Sequence, residues 1–164
     1  MLKMYEVGEI VLYGSNGVCK IEEITEKTIS KTVIEYYVLK PIATQISTLF
    51  VPTQNEKLVG KMRKILAKEE IEKILENLPE TGEWNKNKSE RFDSFKKIIL
   101  DGNCLELIGL IRLLHNQERK QMSRGKRLHI TDEKFLKEAE RMVYGEISVV
   151  LGVDKAQAKE LVLK

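Results

Sequence analysis

Trp84, the only tryptophan of the chain, stands in a polar setting beside lysines and an arginine. Between Trp84 and Phe92 the chain carries no apolar residue. An exposed indole in such a setting can wedge between nucleic-acid bases or stack on them, while neighbouring cations contact phosphates. A buried indole would instead fill a helical core. Truncation to alanine distinguishes the two interpretations by the loss of folding stability. This loss should be about 0.5 kcal/mol for a surface ring and about 3–5 kcal/mol for a core ring. The polar neighbours favour the exposed interpretation.

Basic residues are concentrated in the segment that begins at Trp84. Residues 84–127 contain 11 Lys or Arg against 5 Asp or Glu, whereas residues 1–60 contain 6 against 7. Such an excess is either the solvated face of helices or a surface for phosphate groups. If it is a phosphate surface, the candidates for DNA contact are Trp84, Lys86, Lys88, Arg91, Arg119, Lys120, Arg124, Lys126 and Arg127.

Side chains that could carry out catalysis or bind a metal are not grouped in the sequence. His115, His129, Cys19 and Cys104 are the only histidines and cysteines, and none has the spacing of a metal site or of a nucleophile–base set. We therefore predict no enzymatic activity, no catalytic or metal-binding residues and no cofactor. We expect both cysteines to be free, buried thiols in a cytoplasmic protein. No apolar run approaches the roughly 20 residues that cross a bilayer, and the N-terminus has no signal-peptide pattern.

The elements that must position these residues fall into two parts, and the predicted fold class is α+β. Residues 1–60 predict a small, strongly bent sheet or an SH3-like β-barrel, with short strands separated by turns. The first predicted strand ends at Tyr13, and the next three span 18–24, 33–39 and 45–52. A polar loop is predicted over 26–32, and a short fifth strand around Leu58–Val59.

Residues 61–164 predict a compact all-α unit. Apolar residues recur at the helical period after Lys68, after Trp84, after Asn103 and after Thr131. Asn103 is a suitable N-cap, Gly102 and Gly152 are suitable helix ends, and Asp154 can cap a last short helix. The basic turn over 123–127 separates the two longest helices.

Three motifs of the β part resemble the CarD family of bacterial transcription regulators, whose opening also occurs in transcription-repair coupling factors. Residues 7–14, followed by Gly17-Val18, resemble the family's opening motif. Residues 36–40 and 49–52 are similar to two further strands of that family. In the helical part, Trp84 with Arg91-Phe92, the break at 101–103, and the segments 117–123 and 139–152 continue the likeness, which covers nearly the whole chain.

The resemblance implies a Tudor-like unit that docks on the β-subunit of RNA polymerase, and a helical unit that contacts promoter DNA at the upstream edge of the melted region. Trp84 would be a minor-groove wedge, and the protein a monomer associated with the nucleoid. Phe50 stands where characterised relatives have an arginine that contacts polymerase. Lys27, in the polar loop nearest the matching arginine of the family, is a second candidate contact. The expected polymerase-binding residues are Lys27, Ile46, Ser47, Thr48, Leu49, Phe50, Val51 and Pro52.

The alternative interpretation is a protein–protein adaptor that docks on RNA polymerase without direct contact to DNA. In that case Trp84 belongs to the core and the lysines only face water. Solvent exposure of Trp84 separates the two hypotheses.

Overall fold

A computed structural model describes residues 4–44 and 47–164 of the chain. These residues form two compact units, one that ends at Ile65 and one that runs from Leu66 to Lys164. The predicted α+β class is confirmed, because the first unit contains a five-stranded sheet and the second contains helices.

The first unit is built on one antiparallel sheet in which the strands follow the order β4-β3-β2-β1-β5. A single 3-10 turn, Gly14–Asn16, joins the first two strands, and a short helix, α1, spans Glu56–Val59. Within the described residues β4 and β5 do not pair, so hydrogen bonds do not close the sheet and the predicted barrel is not confirmed. The strands are β1 (Ile10–Tyr13), β2 (Val18–Ile29), β3 (Thr32–Pro41), β4 (Leu49–Pro52) and β5 (Met62–Lys64).

One face of the sheet buries a cluster of apolar side chains. Its members come from all five strands, the N-terminal segment and α1: Tyr5, Val11, Cys19, Ile21, Tyr37, Leu39, Val51, Val59 and Met62. The rings of Tyr5 and Tyr37 meet edge to face at 5.9 Å. The Tyr5 hydroxyl donates to the Met62 carbonyl at 3.0 Å, and the Tyr37 hydroxyl accepts from the Tyr5 backbone N–H at 3.2 Å. Both phenols thereby place their polar ends on backbone groups, as buried tyrosines require.

The polar segment 26–32 is not a loop, which corrects the sequence prediction. β2 continues to Ile29 and β3 begins at Thr32, and Lys27 pairs with Ile34 in the ladder. Ser30 and Lys31 have φ values of 48° and 67°, the positive values that a two-residue hairpin turn of type I′ requires at both positions. The residues before the turn are exposed on both faces, so the segment lacks the apolar alternation that marks a strand over a core.

The strand predicted around Leu58–Val59 is also wrong. These residues belong to α1, because the Asn55 side chain accepts from the Leu58 backbone N–H at 3.1 Å and caps the helical turn. Val59 packs in the core and Leu58 against it. The fifth strand is β5, paired with β1, so the boundary predicted after residue 60 falls between α1 and β5.

The second unit consists of five helices whose apolar faces meet on one long helix. α4 and α3 pack against α5, as does α6. The residues Leu107, Ile111 and Leu114 of α4 and Met142 and Ile147 of α5 are fully buried. The helices are α2 (Lys68–Glu76), α3 (Lys88–Asp101), α4 (Cys104–Met122), α5 (Ile130–Leu151) and α6 (Lys155–Val162).

The predicted helix boundaries are confirmed where a specific residue sets them. Gly102 and Gly152 end α3 and α5 with φ values of 67° and 68°, a conformation that favours glycine. The side chains of Asn103 and Asp154 accept backbone N–H groups at the starts of α4 and α6. None of the helices in the described part of the chain is long and apolar enough to cross a membrane.

Candidate nucleic-acid interface

Trp84 lies in the irregular segment between α2 and α3 and is half-buried. Its ring contacts Phe95 of α3, with ring centroids 6.2 Å apart and planes inclined at 52°. The Arg91 guanidinium carbon stands 4.6 Å from the centre of the indole, so the cation covers one ring face. The indole is therefore neither a free surface ring nor a core plug, and its truncation falls between the two costs considered from the sequence.

Arg91 is an interior residue, although it belongs to the first turn of α3. Its Nη2 donates to Asp132 Oδ2 at 2.9 Å and its Nε to Oδ1 at 3.4 Å, and both side chains are more than 90% buried. Its Nη1 donates to the Asn85 backbone carbonyl at 3.0 Å. The planar fork of an arginine allows all these contacts at once. Arg91 thus links α5, the backbone after Trp84 and the indole ring. Because its guanidinium is buried in these contacts, it positions the Trp84 segment and does not present a charge to solvent.

Short-range hydrogen bonds fix the chain just after Trp84. The Asn85 side chain donates to Glu90 Oε2 at 2.9 Å and accepts from the Asn87 backbone N–H at 2.9 Å. The Asn87 side chain caps α3 by accepting from the Glu90 N–H at 3.1 Å. The asparagines that seem merely polar in the sequence therefore order the loop that carries Trp84.

The chain before Trp84 is attached to α4 at Pro79. Arg112 Nε donates to the Pro79 carbonyl at 3.0 Å, and Arg112 Nη1 donates at 2.9 Å to the carbonyls of Val162 and Lys164. A Cβ added at Gly109 would meet Pro79 Cγ at 3.8 Å, an ordinary van der Waals contact, so the proline ring lies against this part of α4. The Trp84 segment is held on both sides.

A groove of about 330 Å³ runs between the Trp84 segment and α4. Asn116 and Gln117 are half-buried, and no hydrogen bond engages their carboxamides within the described part of the chain. The groove is lined by Thr81, Gly82, Glu83, Trp84, Leu113, Asn116, Gln117 and Lys120.

The predicted basic residues are only partly brought together. Lys120 lines the same groove as Trp84, and Lys86 and Lys88 are exposed close to Trp84 in sequence. Arg119 lines a smaller cavity of about 140 Å³ with Thr81, Arg112, His115 and Leu163. The remaining predicted cations are exposed on the turn between α4 and α5, namely Arg124, Lys126 and Arg127.

The predicted polymerase-binding strand is observed as β4, at one end of the sheet. Leu49 and Pro52 are half-buried and Val51 is fully buried, so the face of β4 that carries Val51 belongs to the core. Ser47 and Thr48 precede the strand and are exposed. Ile46 lies outside the described residues.

Phe50 lies on the opposite face of the sheet and is 43% exposed. The Lys27 Nζ atom stands 3.7 Å from the centre of the Phe50 ring, and the Tyr36 ring meets Phe50 edge to face at 6.0 Å. Lys27 therefore belongs to the same exposed cluster as Phe50, and the cluster presents an aromatic surface with one cation.

Groups suited to metal or thiol chemistry are not assembled. No set of three or more His, Cys, Asp or Glu side chains is positioned to hold a metal ion within residues 4–44 and 47–164. Cys19 and Cys104 are buried, and neither forms a disulfide bond within the described residues. Burial raises the pKa of the Cys19 thiol to about 11, so this thiol is protonated at neutral pH.

The sequence did not reveal the groups that hold Trp84. In the sequence Asp132 is only an acidic residue near a helix start, whereas in the structure its carboxylate pairs with Arg91, 41 residues away in sequence. Asn116, Gln117 and Leu113 had no motif to distinguish them from other residues of an amphipathic helix. Arg112 differs from a solvated arginine only in its contacts with carbonyls, which the sequence does not encode locally.

The chain thus combines a small antiparallel sheet, in which β4 is an edge strand, with a helical unit that holds a half-buried tryptophan beside a groove. A family model for the CarD-like/TRCF RID domain matches residues 5–66, and a model for the CarD C-terminal domain matches residues 70–163. The chain belongs to the CarD family, and this membership implies transcription regulation through an interaction with RNA polymerase.

Proposed function

We propose that this protein is a non-enzymatic, monomeric regulator that binds the β-subunit of RNA polymerase through its first unit and stabilises the promoter open complex through its second. The first unit would act as a Tudor-like docking module, and the second would contact promoter DNA near the upstream edge of the melted region. A cytoplasmic location at the nucleoid belongs to the same proposal.

The open edge of β4 supports docking by strand addition. A strand at the end of a sheet has N–H and C=O groups that no neighbouring strand engages, and an extended segment of a partner can pair with them. Ser47, Thr48 and Leu49 offer this backbone, while Phe50 and Lys27 offer side-chain contacts on the exposed face. Because Phe50 replaces the arginine of characterised relatives, we propose that apolar and cation contacts take over part of its role.

The observation that carries the DNA proposal is the manner in which Trp84 is held. A buried ion pair, Arg91–Asp132, and a bond to the Asn85 carbonyl fix the loop, yet the indole is left half-exposed beside lysines. A wedge needs this combination, because a ring that is ordered in advance loses little conformational freedom when it inserts into a base step. Lys86, Lys88 and Lys120 are suited to contact the phosphates around such a step.

Tethering explains how a modest basic surface could suffice. Docking on polymerase raises the local concentration of the helical unit near promoter DNA, so its own affinity for DNA can be low. The net charge of +3 is consistent with a protein that relies on such a tether rather than on a strong field of its own.

The competing hypothesis is an adaptor that docks on polymerase without contacting DNA. The contact between Trp84 and Phe95 supports it, because this contact gives the indole a packing role inside the unit. Under this hypothesis neither DNA nor salt would change the environment of Trp84.

The test is quenching of Trp84 fluorescence by a soluble quencher, with and without fork-junction DNA and at two salt concentrations. The proposed function requires protection of the indole by the DNA, and this protection should weaken as salt rises because bound phosphates release counterions. Because Trp84 is the only tryptophan, no other indole contributes. Equal quenching of this protein with and without DNA, at the lower salt concentration, would favour the adaptor.

A further inference from the structure

The groove between Trp84 and α4 combines three kinds of recognition chemistry in one place. Trp84 and Leu113 supply apolar surface, Asn116 and Gln117 supply carboxamides, and Lys120 supplies a cation. A carboxamide both donates and accepts hydrogen bonds, and half-buried carboxamides without protein partners are groups that a ligand can satisfy. The described part of the chain contains no hydrogen bond to these two carboxamides and no ion pair to Lys120.

We propose that this groove holds one unstacked nucleobase and that Asn116 and Gln117 read its edge. The inference rests on the proposed function, since it assumes that Trp84 meets DNA, and it adds a base-reading site on α4. The indole would stack on the base or border it, the carboxamides would pair with its hydrogen-bonding edge, and Lys120 would contact its phosphate.

The lining also indicates which bases fit. Asparagine and glutamine pair in two-bond fashion with adenine, whose edge presents an amino donor next to a ring-nitrogen acceptor. Glu83 lines the groove as well, and its carboxylate can accept from an exocyclic amino group but cannot donate to a carbonyl. An unpaired thymine can also pair with a carboxamide, through its N3–H and a neighbouring carbonyl oxygen. It has no exocyclic amino group, however, to donate to the Glu83 carboxylate. The groove therefore favours adenine over thymine.

The volume of the groove and its two fixed walls suit a single base rather than a duplex. Its volume of about 330 Å³ lies within the range of small-molecule pockets. The wall formed by Trp84 is fixed by Arg91, and the opposite wall is a continuous helix, α4. A base that is already unpaired at the edge of a melted region enters such a site at the lowest unstacking cost.

The experiment measures binding of the full chain to fork-junction DNA that differs at one unpaired nucleotide next to the duplex. This nucleotide is adenine, thymine or an abasic site, and affinity is followed by fluorescence anisotropy of labelled DNA at low salt. We expect the adenine fork to bind about tenfold more tightly than the abasic fork, as one stacked and paired base would give. The thymine fork should fall between them.

The decisive variant is the double substitution Asn116→Ala and Gln117→Ala. It should lose most of the preference for the adenine fork over the abasic fork and keep only the part that stacking on Trp84 supplies. The salt dependence should be unchanged, because phosphate contacts position DNA but do not read it. Gln121→Ala is the matched control, a carboxamide on the same helix that does not line the groove, and it should keep the wild-type preference. Circular dichroism of each variant verifies that α4 is intact.

Two results overturn the inference. One is equal affinity of the wild-type protein for adenine and abasic forks, and the other is an unchanged adenine preference in the double variant. The proposed function fails separately, if Trp84→Ala changes neither affinity for any fork nor the lifetime of open complexes. A protein that needs Trp84 but ignores the identity of the base would retain the proposed function and lose the base-reading site.

Discussion

Arg91 and Asp132 provide the sharpest test of how the helical unit holds its tryptophan. The two side chains are 7% and 6% exposed, and their ionic contact of 2.9 Å joins the first turns of α3 and α5. Asp132→Leu removes the carboxylate and leaves a buried guanidinium without its counter-charge. Arg91→Met keeps much of the arginine's length but leaves the carboxylate unpaired.

Each single substitution should lower the free energy of unfolding by about 3–5 kcal/mol, because an uncompensated charge is then buried. For a unit of this size that loss corresponds to a fall in Tm of more than about 10 °C. The double variant removes both charges and should recover most of the loss, to within about 1–2 kcal/mol of wild type. The double-mutant cycle should therefore show a coupling of about 4 kcal/mol or more, because the two single losses together exceed the loss of the double variant by at least that amount.

Urea unfolding followed by circular dichroism gives these free energies. The positioning of Trp84 is measured separately, by fluorescence quenching and by open-complex lifetime. The double variant, although folded, lacks both the cation over the indole and the donor to the Asn85 carbonyl. Trp84 should then be quenched more readily, and open complexes formed with the variant should decay several-fold faster than with wild type. Lys137→Met is the control: it breaks an exposed ion pair with Glu133 on α5 and should change stability by less than about 1 kcal/mol.

Two outcomes would refute this reasoning. If Asp132→Leu costs less than about 1 kcal/mol, the pair is not a buried charge pair in solution. If the folded double variant retains wild-type quenching and open-complex lifetime, Arg91 stabilises the unit without positioning Trp84.

Three further predictions follow from contacts already described. Trp84→Ala should lower the free energy of unfolding by about 2 kcal/mol, since the half-buried ring removes roughly 100 Å² of apolar surface from water; a urea midpoint unchanged from wild type would show that the ring is free. Phe50→Ala should leave Tm within a few degrees of wild type, because the ring is 43% exposed, but it should reduce polymerase retention in a pull-down several-fold. Thr48→Pro should abolish polymerase retention if the β4 edge pairs with polymerase. Retention equal to wild type in both would exclude docking at β4. The buried thiols of Cys19 and Cys104 should not react with a thiol reagent at pH 8 until the protein unfolds, since the Cys19 pKa of about 11 keeps its thiol protonated; rapid reaction of the native protein would contradict this.

The sequence predicted the fold best where one residue decides the local geometry. Asn103 and Gly102 mark the boundary between α3 and α4, because a side-chain cap and a left-handed glycine act within a few residues. The prediction failed over 26–32, where the strands extend past the core and apolar alternation is therefore missing. It also failed at Leu58–Val59, because two adjacent apolar residues fit a helical turn as well as a strand.

The candidate site was predictable only in its exposed features. Trp84 and its lysines were visible as an unusual composition, but the buried state of Arg91 was not, since arginine is usually exposed. Its partner Asp132 is 41 residues away, and nothing local links the two. Long-range pairing of this kind emerges only when α3 and α5 pack together.

The outer part of the long β2–β3 hairpin should be more mobile than its base, and the proposed docking surface includes both. The core covers only its base, because β2 buries no side chain after Ile21 and β3 buries none before Tyr37. Backbone amides near Ser30 should therefore exchange with solvent through local opening, well before those of Leu39. Lys27 lies on this outer arm, whereas Phe50 lies beside buried Val51. A partner would therefore meet Phe50 already ordered, whereas Lys27 would become ordered on contact. The loss of conformational entropy in the outer arm would offset part of the binding free energy gained at Lys27.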